Sequence, residues 1–225
     1  MAAPDADLLR SLGRLARGLS ALFWGLPTAL LVCVYASQAR ALKPVGLAPA
    51  LAALGLLLFG LWQVSHFQPQ ERPWRRALDR ATLLGLVNLF LCPFLYWSNR
   101  LPDELFFAVA VWILGLSGLL FLFNLNLVLA RLGAMLPDET LRHETRQFTQ
   151  LNRILLLGLL GLAVAYLLLS RMPALWWPLR SVVLFIEHSG QWLLVIFLLL
   201  PLAMTMALIW KTKEVILDSV FNAGH

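Results

Sequence analysis

The chain has 225 residues; 60% are hydrophobic, 13% are charged, and the mean hydropathy is +0.77. A soluble domain carries about 25% charge, so this apolar surplus, gathered into long runs, excludes a water-soluble globular domain and makes lipid the main solvent. The net charge of +6 sits in short arginine-rich connections between the runs, which argues against nucleic-acid binding and for basic anchors at a membrane surface.

In chain order, Pro4 and Asp5 open a basic amphipathic segment from Asp7 to Arg17. Proline early in a helix and acid near its N-terminus both favour a helix start. The segment runs into span 1 (19–37), bent at Pro27. This run is longer than the core of a signal peptide, so it is expected to stay as an anchor. Span 2 (45–65) is rich in alanine and glycine, which let helix backbones approach closely.

The first long connection, 66–80, carries Arg72, Arg75, Arg76 and Arg80, with a new helix start at Pro73. Span 3 (81–98) contains Asn88 and a kink at Pro93, and a tight turn leads into span 4 (105–130). Span 4 has neither charge nor proline. It exceeds the roughly 20 apolar residues a helix needs to cross a bilayer core, and it is the natural centre of a bundle. The second long connection, 131–153, carries Arg142, Arg146 and Arg153; span 5 (154–170) follows. Prolines break the stretch after Arg171, and Trp176-Trp177 there argue for an interfacial helix over 174–188. Span 6 (191–210) and a short amphipathic tail complete the chain.

Placing the N-terminus inside puts thirteen of the eighteen lysines and arginines on the cytoplasmic side. The positive-inside bias therefore expects both termini in the cytoplasm. Under this topology Trp97, Trp176, Trp177 and Trp192 line the outer interface, and Trp24, Trp62, Trp74 and Trp210 the inner one. Arginine outnumbers lysine fifteen to three, the balance of a GC-rich bacterial genome, and the expected location is a bacterial inner membrane. Three times the order proline, basic helix, span, Tyr, Ser, Arg recurs, beginning at Pro4, Pro73 and Pro137. This is compatible with a triplicated hairpin, but interface anchoring alone places the same residues at span ends.

The polar residues inside the spans are the candidate site. Asn88, about seven residues into span 3 from its inner end, and Asn124, about six from the inner end of span 4, lie at matching depths. Ser117 and Asn124 share a face of span 4, and Asn126 points elsewhere. An unpaired amide in hydrocarbon is costly, so each must find a partner. The group Asn88, Ser117, Asn124 and Asn126 reads as interhelical glue or as a polar path. The arginines 72, 75, 76, 80, 142, 146 and 153 read as docking points for anionic lipid or a partner.

Gly115-Leu116-Ser117-Gly118 is similar to the Gly-x-Ser-Gly of the rhomboid intramembrane proteases. That family pairs its serine with a histidine in the sixth span, and 191–210 contains none; His188 precedes it. Serine-protease chemistry needs a base within hydrogen-bond reach, so no catalytic residue is expected. Cys33 and Cys92 lie in apolar runs and read as small hydrophobes. No pattern of metal or cofactor ligands is found.

The expectation is an all-α polytopic membrane protein forming one membrane domain: six transmembrane helices in three hairpins, with amphipathic cytoplasmic arms. The leading function is a non-catalytic accessory or scaffold subunit of a larger membrane complex, with other membrane subunits or copies of itself as partners. The alternative is a small transporter or channel through Asn88, Ser117 and Asn124, followed by an intramembrane enzyme.

Overall fold

The computed structural model describes residues 6–38, 46–67, 70–101, 103–135, 139–169 and 198–218. Among the described residues there is no strand. The helices are α1 (Ala6–Gln38), α2 (Ala48–Ser65), α3 (Arg72–Leu91), α4 (Pro93–Arg100), α5 (Leu105–Met135) and α6 (Glu139–Leu169). A further helix, α7, covers 198–218. Among the described residues, five segments are long and apolar enough to cross a membrane: Arg10–Val34, Ala48–Ser65, Arg72–Arg100, Leu105–Met135 and Thr145–Ala165. The expected sixth span is described only from residue 198, within α7, and the expected interfacial helix over 174–188 lies outside the described residues. So do the repeat landmarks Pro4, Arg40, Pro137, Ser170 and Arg171.

The basic N-terminal segment and span 1 are one continuous helix, with Pro27 inside it. The buried side of α1 is Leu15, Leu19, Leu22, Leu26 and Ala29; that of α2 is Ala50, Ala53, Leu57, Leu61 and Val64. Both sets advance by three and four residues, the repeat that keeps one seam facing a partner helix. The two helices pack antiparallel along this seam, closest where both are glycine. A Cβ on Gly18 would lie 2.9 Å from the Gly60 carbonyl oxygen, and one on Gly60 would lie 3.0 Å from that of Gly18. Only residues without a side chain allow backbones this near.

Helix α3 begins at Arg72-Pro73, where the proline's missing N–H costs no hydrogen bond. Its inward side, Trp74, Leu78, Ala81, Gly85 and Asn88, again follows the three-four spacing. At Pro93, where a kink is expected, α3 ends at Leu91 and α4 begins at Pro93, while Cys92 between them keeps helical dihedrals (φ −54°, ψ −39°) and donates to the Asn88 carbonyl at 2.9 Å, so the two run on as one interrupted helix. Proline clashes with the preceding turn and so ends a helix or begins one. Trp74, read from the sequence as an inner-interface ring, is packed inside the protein rather than on its surface. It is 1% exposed, and its indole Nε1 donates to the Phe67 carbonyl at 3.1 Å. With its only polar atom satisfied beyond the end of α2, the ring can be buried. Trp24, Trp62 and Trp210 are exposed.

Helix α5 is the hub, packed against α3, α4 and α6. In its second half Leu122, Leu125, Val128, Leu129 and Leu132 are buried on more than one side, the mark of a helix surrounded by others. The connection over 131–153, where the sequence reads a helix start at Pro137-Asp138-Glu139 and a basic amphipathic arm, is largely helix. α5 continues to Met135, and α6 already runs from Glu139. Thr145 packs on Gly133 of α5, where an added Cβ would come within 2.9 Å of its methyl carbon.

Candidate functional site

Of the described polar side chains buried in the bundle, Thr212 bonds to the Leu208 carbonyl of its own helix at 2.8 Å, and the others fall into two groups. The first ties α5, α6 and α7 together through Asn126, Asn152 and Thr205. Asn126 is 0% and Asn152 1% exposed. The Asn126 amide Nδ2 donates to the Leu122 carbonyl at 2.8 Å and to Thr205 Oγ1 at 2.9 Å. Asn152 Nδ2 donates to Asn126 Oδ1 at 2.9 Å, to Thr205 Oγ1 at 3.0 Å and to the Pro201 carbonyl at 3.2 Å. The Thr205 hydroxyl donates in turn to the Pro201 carbonyl at 2.7 Å.

The valences of this network close almost completely. A hydroxyl has one donor and two acceptor sites, and Thr205 uses all three. Asn126 uses both amide hydrogens and its oxygen. Asn152 spreads two hydrogens over three acceptors, so one hydrogen is shared. Turning its amide round would set the oxygen against those same acceptors, so the network dictates the orientation. Asn152 Oδ1 is left without a partner. Thr149 and Thr145, one and two turns earlier on the same face of α6, are also buried with unpartnered hydroxyl oxygens.

The second group is Asn88 on α3 and Ser117 on α5. Both are buried, and Asn88 Oδ1 and Ser117 Oγ have no hydrogen-bond partner. Asn124 stands apart: its side chain is half-buried and donates to the Leu120 carbonyl of its own helix at 2.8 Å. The four residues singled out from the sequence therefore divide. Asn126 enters the three-helix network, Asn88 and Ser117 stay buried and unpaired, and Asn124 folds back on its own turn.

Asn152 and Thr205 escaped the sequence reading. Asn152 sits just before the apolar run assigned to span 5, and Thr205 is a lone hydroxyl in a hydrophobic stretch. A usable signal was present: Thr145, Thr149, Asn152 and Leu156 fall on one helical face.

The arginines are at the surface. Arg72, Arg75, Arg76, Arg80 and Arg146 are exposed, and Arg153 lies over the Phe123 ring with 5.4 Å to its centroid. The Arg142 side chain lies outside what the structure describes. The structure also gathers a basic cluster that the sequence left as topology markers. Arg10, Arg14 and Arg17 line an open recess of about 530 Å³ with Trp62, Gln63 and His66 of the α2 end. His188 lies outside the described residues, so no partner base for Ser117 is defined; among the described residues no group of three His, Cys, Asp or Glu side chains converges. No protein family, curated protein or solved structure matches the chain.

Proposed function

We propose that this chain is a non-catalytic integral membrane protein that serves as an accessory or scaffold subunit of a larger membrane assembly. The observation that carries the reading is an aromatic cluster on the outside of the bundle where α4 meets α5. Phe94 and Phe106 lie edge to face at 5.6 Å, and Trp97 stacks on Phe107 at 6.5 Å. Phe106 is 65% exposed. Rings held by one another lose little freedom when a second apolar surface covers them, and aromatics dominate such contacts. The Asn126–Asn152–Thr205 network supports the same reading, since it spends its polar groups on joining helices. The basic connections and the Arg10–Arg14–Arg17 recess fit anionic lipid at the cytoplasmic face, with both termini inside a bacterial inner membrane.

The test is purification from native membranes in mild detergent, followed by native mass spectrometry. The proposal expects other chains, or further copies of this one, in fixed stoichiometry. It also expects that Phe106→Ala together with Trp97→Ala reduces their recovery without lowering the melting temperature. A lone chain under all conditions would overturn it.

A second reading, a small transporter or channel, draws on the unpaired buried oxygens of Asn88 and Ser117. Reconstituted flux that is unchanged in Asn88→Leu and Asn124→Leu would sink it.

A further inference from the structure

On α5, Gly115 and Gly118 lie one turn apart. A Cβ on either would meet no atom within 4 Å, so the neighbouring helices do not close on this part of α5. The unfilled space is a cavity of about 320 Å³, walled by Leu26 of α1, Leu57 of α2, Asn88 of α3, Leu114 and Gly118 of α5, and Leu202 of α7. At its margin Val34 is 44% exposed and Gly115 is exposed. Among the described residues the space therefore opens sideways.

Protein interiors are close-packed, and voids much larger than a water molecule are rare. This one has the lower-end volume of a ligand pocket. Water is a poor occupant, because an ordered water needs two to four polar partners, and among the described residues the wall offers, besides the Asn88 amide, only the Cys33 thiol. The one amide in the wall, Asn88, is 4% exposed, and its Oδ1 has no partner. A buried amide left unpaired is destabilising, so an occupant that hydrogen-bonds it gains more than one that does not.

We infer that this cavity binds a lipid-soluble alcohol that enters from the bilayer, with an apolar chain against the leucine wall and a single hydroxyl on the Asn88 amide. A hydroxyl both donates and accepts, so it suits either end of the amide. The cavity holds a medium-length chain, or the hydroxyl end of a longer one whose remainder leaves past Val34 and Gly115. The inference is independent of whether the chain is a subunit of an assembly.

The experiment uses the full chain in lipid nanodiscs and a dodecanol carrying a photoreactive diazirine. Dodecanol and dodecane compete at equal mole fraction in the bilayer. Labelling is expected to concentrate on 26–34 and 111–122, with dodecanol the better competitor by roughly 3–10-fold, the worth of one hydrogen bond. Asn88→Leu should remove that preference while dodecane still competes. Gly118→Leu fills the space and should abolish labelling with the melting temperature retained. Equal competition by the two compounds in the native protein would overturn the inference. So would labelling that persists in Gly118→Leu or spreads evenly over the lipid-facing helices. If Asn88→Leu fails to fold, the native competition ratio and Gly118→Leu decide the matter.

Discussion

Asn152 is joined to partners on two other helices, through Asn126 on α5 and through Thr205 and Pro201 on α7. Replacing it with leucine removes both donors and leaves Asn126 Oδ1 unpaired. We expect Asn152→Leu to lower stability in detergent by about 1–2 kcal/mol, near the upper end for hydrogen bonds between membrane helices. A double-mutant cycle with Asn126→Leu should give a coupling of about 0.5–1.5 kcal/mol. Asn124 bonds only within its own turn, so Asn124→Leu should change stability by under about 0.5 kcal/mol. Equal losses at positions 124 and 152, measured by equilibrium unfolding, would contradict this division. At this scale the sequence named Asn126 but missed its partners. Polarity within an apolar run marks a residue that must be satisfied; it does not say which helix will satisfy it.

Between α1 and α2 the contact is set by glycine rather than by large side chains. A Cβ on Gly18 would lie 2.7 Å from Val64 Cγ2 as well as 2.9 Å from the Gly60 carbonyl oxygen. The second atom belongs to the backbone and cannot swing aside, so the helices must separate. Gly18→Ala and Gly60→Ala are each expected to cost about 1–3 kcal/mol, the usual cost of overpacking. In α6 an added Cβ at Gly158 meets nothing within 4 Å. Gly158→Ala should therefore be neutral, or stabilising by up to about 1 kcal/mol from helix propensity alone. Thermal unfolding of the three variants separates the two cases, and a neutral Gly60→Ala would refute the close approach. Composition showed that span 2 was rich in small residues. Which of its glycines faced α1 followed only from the phase of the helix against its neighbour.

For the whole molecule, the strongest sequence argument is the distribution of charge, and it leads to a labelling experiment. Asp103, between α4 and α5, and Arg146, on α6, are both exposed. With the termini inside, a cysteine at position 103 in a Cys33→Ala, Cys92→Ala background should react with a membrane-impermeant maleimide added to intact cells. One at position 146 should react only after the membrane is opened. The reverse pattern would invert the topology.

Hydropathy by itself determined that this chain is helical and built for a membrane, because hydrocarbon requires every backbone N–H and C=O to be satisfied within its own segment. The helix start at Pro73, the interruption at Pro93 and the central place of α5 were legible for similar local reasons: proline geometry, and a run apolar on all sides. Tertiary structure alone decided the rest. It buried Trp74, joined Asn152 to Asn126 and Thr205, and left Asn88 at the wall of a cavity. Each of these depends on what a neighbouring helix presents at the same depth, and residues far apart in the chain come to equal depth only when the helices pack.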